Sequence, residues 1–126
     1  MLNDQPIVPV LPAADLNRAK HFYQDTLGLK LAEEREDGVA LESGETTLFL
    51  YQSDFAGTAQ HTQATWRVSD LDETMTDLRG RGITFEEYDL PGMKTVNGVA
   101  ETETVRGAWF KDSEGNILAV SQDKKS

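Results

Sequence analysis

The chain repeats itself, and the repeat limits the folds open to it more than any single motif. The pair "DL" opens a helical pattern at Asp15-Leu16 and again 55 positions on at Asp70-Leu71; "GVALESGETTLFLYQ" from Gly38 aligns with "GAWFKDSEGNILAVS" from Gly107 at an offset of 69. Identity between the halves is sparse, so the shared order of elements carries the comparison.

In the first half, "IVPVLPA" (Ile7 to Ala13) reads as a short strand, edge-like or bent because Pro9 and Pro12 cannot donate to a ladder. Asp15 is a good N-cap, Leu16, Ala19, Tyr23 and Leu27 recur at helical spacing, and Gly28 supplies a C-terminal stop. "LKLAEERE", "VALES" and "TTLFLYQS" follow as strands, punctuated by the hairpin signals Asp37-Gly38 and Ser43 to Glu45. After the polar "DFAGTAQH" the same grammar restarts. "TQATWRVS" is strand-like. The next helix opens with Asp70 and Glu73 in capping-box spacing, carries Leu71, Thr74, Met75 and Leu78 on one face and stops near Gly82; "TFEEYDL", "GAWFKD" and "NILAVSQ" complete the unit.

The expectation is an α+β fold of two tandem βαβββ modules, over about residues 6–55 and 61–123, within a single domain spanning 1–126. One helix per module covers one sheet face and leaves the other needing a partner. Two such faces would enclose a curved mixed-sheet cup, which a homodimer could complete. Only the second half carries "PGMKTVNGVAETETV", Pro91 to Val105. It is rich in turn residues and poor in pattern, and reads as a long mobile loop, either a lid over the cup or surface decoration.

A length of 126 residues suits one domain, and the absence of cysteine excludes disulfides and thiolate chemistry and favours a cytoplasmic location. The start "MLNDQPIVPV" lacks the features of a signal peptide, and no apolar stretch approaches the roughly 20 residues that span a bilayer. With 22 Asp and Glu against 12 Lys and Arg, the formal charge of −10 repels phosphate backbones and anionic membranes, so neither nucleic acid nor membrane is an expected partner. The acidic runs "EERED" and "EEYD" read as solvated strand edges, because alternation separates neighbouring carboxylates.

The paired modules, with "FYQDTLGL" in the first helix and the "FKDSEGN" turn near the end, resemble the vicinal oxygen chelate superfamily, which includes glyoxalase I, bleomycin-resistance proteins and extradiol dioxygenases. Ser113 and Glu114 stand where many relatives have Pro and Asp. The resemblance implies that metal-using relatives hold one divalent ion with His, Glu or Gln from four strands, the first and last of each module. Counting from each "DL" and from Gly115 puts those slots at Val8, Leu50, Gln63 and Ala119. Val, Leu and Ala offer no lone pair, so no metal and no cofactor is expected.

Alternation from those slots turns Val8, Val10, Leu48, Leu50, Gln52, Gln63, Thr65, Arg67, Ile117, Ala119 and Ser121 into the cup. Such a mostly apolar lining with a few polar groups suits a small molecule. Arg67 could pair a ligand anion or an acidic neighbour such as Glu42 or Glu34. Trp66 is expected on the helix side; Trp109 is either a cavity wall or an ordinary core aromatic. His21 sits on the polar face of the first helix, and His61 is either a rim residue or a solvated linker histidine.

Three functions remain open. The first is a metal-free, dimeric protein that binds a small apolar or aromatic molecule, as in the sequestering, resistance-like branch. The second is a glyoxalase-like metal-dependent lyase, isomerase or dioxygenase whose ligands lie at positions other than the counted slots or are recruited from the loop, for example Glu101, Glu103 or His61. The third is a ligand-free interaction domain.

Overall fold

The computed structural model describes residues 1–124. The first module comprises β1 (Val10–Ala13), α1 (Leu16–His21), β2 (Lys30–Arg35), β3 (Gly38–Ser43) and β4 (Thr46–Gln52). The second comprises β5 (Ala64–Arg67), α2 (Leu71–Gly80), β6 (Asp89–Leu90), β7 (Met93–Lys94), β8 (Ala100–Glu101), β9 (Val105–Lys111) and β10 (Ile117–Asp123). Two four-stranded mixed sheets result, ordered β1-β4-β3-β2 and β5-β10-β9-β8, and β6 and β7 form a separate hairpin. In each large sheet the first strand runs parallel to the last and the other pairs are antiparallel.

Both helices start where their caps dictate. Asp15 accepts the Arg18 amide and Asp70 the Glu73 amide, each at 3.0 Å, satisfying donors that the first helical turn leaves free. α1 then widens into a π turn over Phe22–Thr26, with the Leu27 amide reaching back to the Phe22 carbonyl at 3.1 Å. α2 buries Leu71, Met75 and Leu78.

Strand alternation builds one core across both modules. Leu11 and Ala13, Val39 and Leu41, and Leu48 and Leu50 of the first sheet turn to the helix side, as do Ala108 with Phe110 and Leu118 with Val120 of the second. The seam between modules is polar and fully bonded. The Tyr23 hydroxyl donates to Asp112 Oδ2, Arg18 Nε donates to Glu114 Oε2 at 2.8 Å, and Asn116 Nδ2 donates to the Pro12 carbonyl at 2.8 Å. Asp112 Oδ1 in turn accepts the backbone amides of Glu114 and Asn116, both at 2.9 Å, which closes the turn in which Gly115 takes a φ of +86°.

Three expectations need correction. Ile7 and Val8 precede β1, because Pro9 contributes only its carbonyl, accepting from Phe49, and has no amide to extend the ladder. "TFEEYDL" is a strand only at Asp89–Leu90: Ile83 and Phe85 are buried beneath α2, and the Glu86 amide makes a single bond to the Trp109 carbonyl. The segment 91–105 is built rather than patternless. The β6–β7 hairpin is pinned by the buried Thr95, whose hydroxyl accepts the Tyr88 amide at 2.7 Å; a tight Val96–Val99 turn follows, and β8 pairs with the start of β9.

Candidate functional site

The offset between the halves changes at the last turn of each module. Val39 and Leu41 correspond to Ala108 and Phe110 at the offset of 69, but the core residues Leu48 and Leu50 correspond to Leu118 and Val120, an offset of 70. The β9–β10 turn spans residues 112–116, whereas Gly44 and Glu45 alone join β3 to β4. One residue of drift exchanges the two faces of a strand. Leu48 and Leu50 therefore sit in the core, Leu50 with no exposed surface, and Phe49 takes the position on β4 that Ala119 takes on β10.

On the second sheet, the face away from α2 presents Thr65 and Arg67 of β5, Ala119 and Ser121 of β10, and Gly107 and Trp109 of β9. Gln63, one residue ahead of β5, continues the β5 ladder by donating its amide to the Ile117 carbonyl at 2.9 Å; its side-chain Oε1 is buried without a partner. Arg67 pairs with Asp123 at 2.9 Å rather than with Glu42 or Glu34, and Glu34 is itself held by Lys20 at 2.7 Å. The Thr65 and Ser121 hydroxyls lie 3.4 Å apart. Val8, ahead of β1, and Val10 on it are about half exposed, and the exposed Gln52 of β4 donates to the Ala14 carbonyl.

Trp109 dominates the open face. Its indole N–H donates to the Thr62 hydroxyl at 2.9 Å, and the Tyr88 ring meets it edge-on, with centroids 5.9 Å apart and planes at 81°. Gly107, two residues earlier on the same face, leaves room for the ring: a β-carbon there would sit 3.6 Å from Trp109 Cη2. Trp66 lies on the opposite face, stacked on Phe110 and donating to the Ser43 hydroxyl at 2.7 Å.

Two hollows flank the Trp109 indole. One, of about 580 Å³, is lined by His61, Glu86, Tyr88, Leu90, Lys111 and Ile117. The other, of about 430 Å³, is lined by Thr65, Ala100, Val105, Gly107, Ala119 and Ser121. Thr62, Met93 and Trp109 border both, so the β6–β7 hairpin contributes wall to each hollow. Neither hollow draws a lining residue from the first sheet. Burial and the Glu86 carboxylate raise the Tyr88 phenol above its ordinary value, so it is a neutral donor at pH 7.

With the corrected register the four slots carry Val8, Phe49, Gln63 and Ala119, a set with one neutral oxygen donor that does not fit a divalent ion. Among the described residues no three His, Cys, Asp or Glu side chains gather into a metal-sized group. The carboxylate of Glu101 is occupied, hydrogen-bonded by Lys124 at 2.9 Å and by Arg106 at 3.2 Å, and these cations hold it below the usual carboxylate range. His61 is exposed at the edge of the larger hollow, and the exposed His21 lies 3.4 Å from Asp25.

Thr62, Tyr88, Met93 and Lys111 were not expected at the site. Tyr88 and Met93 belong to the stretch leading into and through the insertion, which has no counterpart in the first module to set a register. Gly107 was legible in principle, since a glycine two positions before a tryptophan in a strand shares its face.

This architecture, two βαβββ modules with an open face on the second sheet, is that of the Glyoxalase/Bleomycin resistance protein/Dioxygenase superfamily. The chain belongs to that superfamily, whose family model matches residues 7–120. Among solved structures, it is similar to a glyoxalase/bleomycin resistance protein/dioxygenase from Alicyclobacillus acidocaldarius, at 21% identity, with a TM-score of 0.72 over 99% of this chain and 96% of that one. An antibiotic-binding protein from a Streptomyces species matches at 21% identity and a TM-score of 0.69 over 93% of each chain. A lactoylglutathione lyase from Agrobacterium tumefaciens matches at 21% identity and a TM-score of 0.67 over 93% of this chain and 92% of that one. No curated protein matches the sequence at a significant level. Among the described residues no helix is long and apolar enough to cross a membrane.

Proposed function

We propose that this chain binds a small apolar or aromatic molecule on the open face of its second sheet without a metal ion. The observation that carries the reading is the Trp109 indole, fixed by Thr62 and Tyr88 between two hollows, one of them floored by Ala119 where the resemblance puts a metal slot. An aromatic wall with hydroxyls beside it suits recognition of a planar ligand. The structural likeness to an antibiotic-binding protein supports sequestration as the role, and the absence of cysteine suits the cytoplasm.

The second sheet offers only one side of such a site. A homodimer is part of the reading, because Val10 and Tyr51 on the first sheet, with Ile7 and Val8 just ahead of it, leave exposed apolar side chains that a second copy would cover. Sedimentation should report a dimer.

The test is a titration of the purified protein with a panel of planar aromatic compounds, following tryptophan fluorescence and melting temperature. Binding that is lost in Trp109→Ala and kept in Trp66→Phe supports the reading. One stoichiometric bound metal ion would favour the lyase, isomerase or dioxygenase alternative, and no binding by any compound would favour a ligand-free interaction domain.

A further inference from the structure

Resting on that reading of the open face, and specifying the ligand's chemistry, we infer that the site has two compartments and takes an elongated molecule with an aromatic, hydroxyl-bearing end and a zwitterionic end. The partition is the Trp109 indole. Two contacts keep it upright, the hydrogen bond to Thr62 at 2.9 Å and the Tyr88 ring edge, and Gly107 leaves the space it occupies. A ring so fixed divides the face rather than closing it, since Thr62, Trp109 and Met93 border both hollows.

The compartments differ in chemistry. On the side of Ala119 the strand floor is Ala119, Gly107 and Val105 with the Thr65 and Ser121 hydroxyls; the charged side chains lining that hollow are Lys94 of the β6–β7 hairpin and Glu101, whose carboxylate is held by Lys124 and Arg106. That strand floor, with its charges confined to Lys94 and the already paired Glu101, suits a neutral ring with one hydroxyl. On the side of Ile117 stand Glu86 and Lys111, with opposite charges 3.7 Å apart, a separation too long for a strong mutual hydrogen bond. A lone anion there would meet Glu86 and a lone cation would meet Lys111. A group that presents both signs, an ammonium to Glu86 and a carboxylate to Lys111, satisfies the two together and leaves neither facing its own sign. Both side chains are partly exposed, so exchanging their mutual contact for a ligand's costs little.

Calorimetric titration with three probes tests this: p-cresol for the neutral end, phenylalanine for the zwitterionic end, and 4-(4-hydroxyphenyl)phenylalanine, which joins them. The halves should bind without competing, and the joined probe should bind about 100-fold more tightly than either half, because linkage makes the second contact intramolecular. Glu86→Gln and Lys111→Gln should each weaken the joined probe about tenfold and leave p-cresol unchanged, with circular dichroism confirming an intact fold. If only one of the two charge variants weakens it, the zwitterionic class is wrong. Mutual competition between the halves, or a joined probe no tighter than the better half, overturns the two compartments while Trp109-dependent binding keeps the broader reading standing. If none of the three probes binds, the inference falls, and the aromatic panel decides the broader reading on its own.

Discussion

The Tyr23 hydroxyl donates to Asp112 Oδ2 at 2.5 Å across 89 positions of sequence, with both residues buried. This contact ties α1 of the first module to the last turn of the second. Tyr23→Phe removes the donor and leaves Asp112 Oδ2 with only the Asn116 side-chain Nδ2 donating to it. A lost hydrogen bond to a buried charged group costs about 1.5–3 kcal/mol, and urea unfolding should show a drop in that range. Tyr23→Ala adds a cavity and should cost about 3–5 kcal/mol. Burial and the neighbouring carboxylate also push the phenol far above its ordinary value, so the stability it contributes is present below about pH 10 and declines above it.

Glu114 gives the seam its acid sensitivity. Burial acts to raise its pKa, but hydrogen bonds from Arg18, Ser113 and the Asp15 amide, with the Arg18 charge, outweigh that and hold it at about 2. The folded-state value lies below the roughly 4.3 of an unfolded glutamate, so the contribution is complete above that pH and fades as pH falls toward 2. Glu114→Gln should lower the melting temperature at pH 7, and its difference from the parent should shrink steadily between about pH 4.5 and 2. A difference that stays constant across this window would show that Glu114 does not supply the acid sensitivity.

The slots Val8, Phe49, Gln63 and Ala119 make a direct statement about metals. Adding Ni²⁺, Zn²⁺, Mn²⁺ or Fe²⁺ should leave the melting temperature unchanged, and chelator treatment should leave any measured ligand affinity unchanged. Ala119→Glu alone should not create tight metal binding, because one carboxylate and one neutral amide leave most of a divalent ion's coordination shell unfilled. Elemental analysis finding one ion per chain would reverse this expectation.

Much of the fold was legible because its signals are local. The caps at Asp15 and Asp70, the helical spacing of Leu71, Met75 and Leu78, and the alternation through Gln63, Thr65 and Ala119 depend only on neighbours in sequence. What was not legible depended on counting across a turn. The offset of 69 carries the register correctly as far as Phe110, then the longer turn at 112–116 adds a residue, and the faces of β4 were exchanged as a result. The partner of Arg67 was missed for a similar reason: Asp123 lies two residues beyond Ser121, its cross-strand partner, at a strand end whose reach was not evident. The insertion concealed its own order, since the pairing of Thr95 with Tyr88 joins residues seven apart without any periodic signal.

Gly107 and Trp109 form a size relay on one face of β9. A β-carbon at position 107 falls 3.6 Å from Trp109 Cη2, an ordinary contact, so Gly107→Ala should leave the indole in place and, by lowering the entropy of the unfolded chain, raise stability by about 0.4–1 kcal/mol. Gly107→Val extends further and must displace the ring, breaking the Thr62 hydrogen bond and destabilising the fold by about 1–3 kcal/mol. Near-ultraviolet circular dichroism reads the difference, since an indole released from Thr62 and Tyr88 loses its fixed asymmetric surroundings. The spectrum should survive the alanine and weaken in the valine variant. Loss of the signal in both would mean that the wall tolerates no β-carbon at 107, and retention in both would mean that Gly107 does not position Trp109.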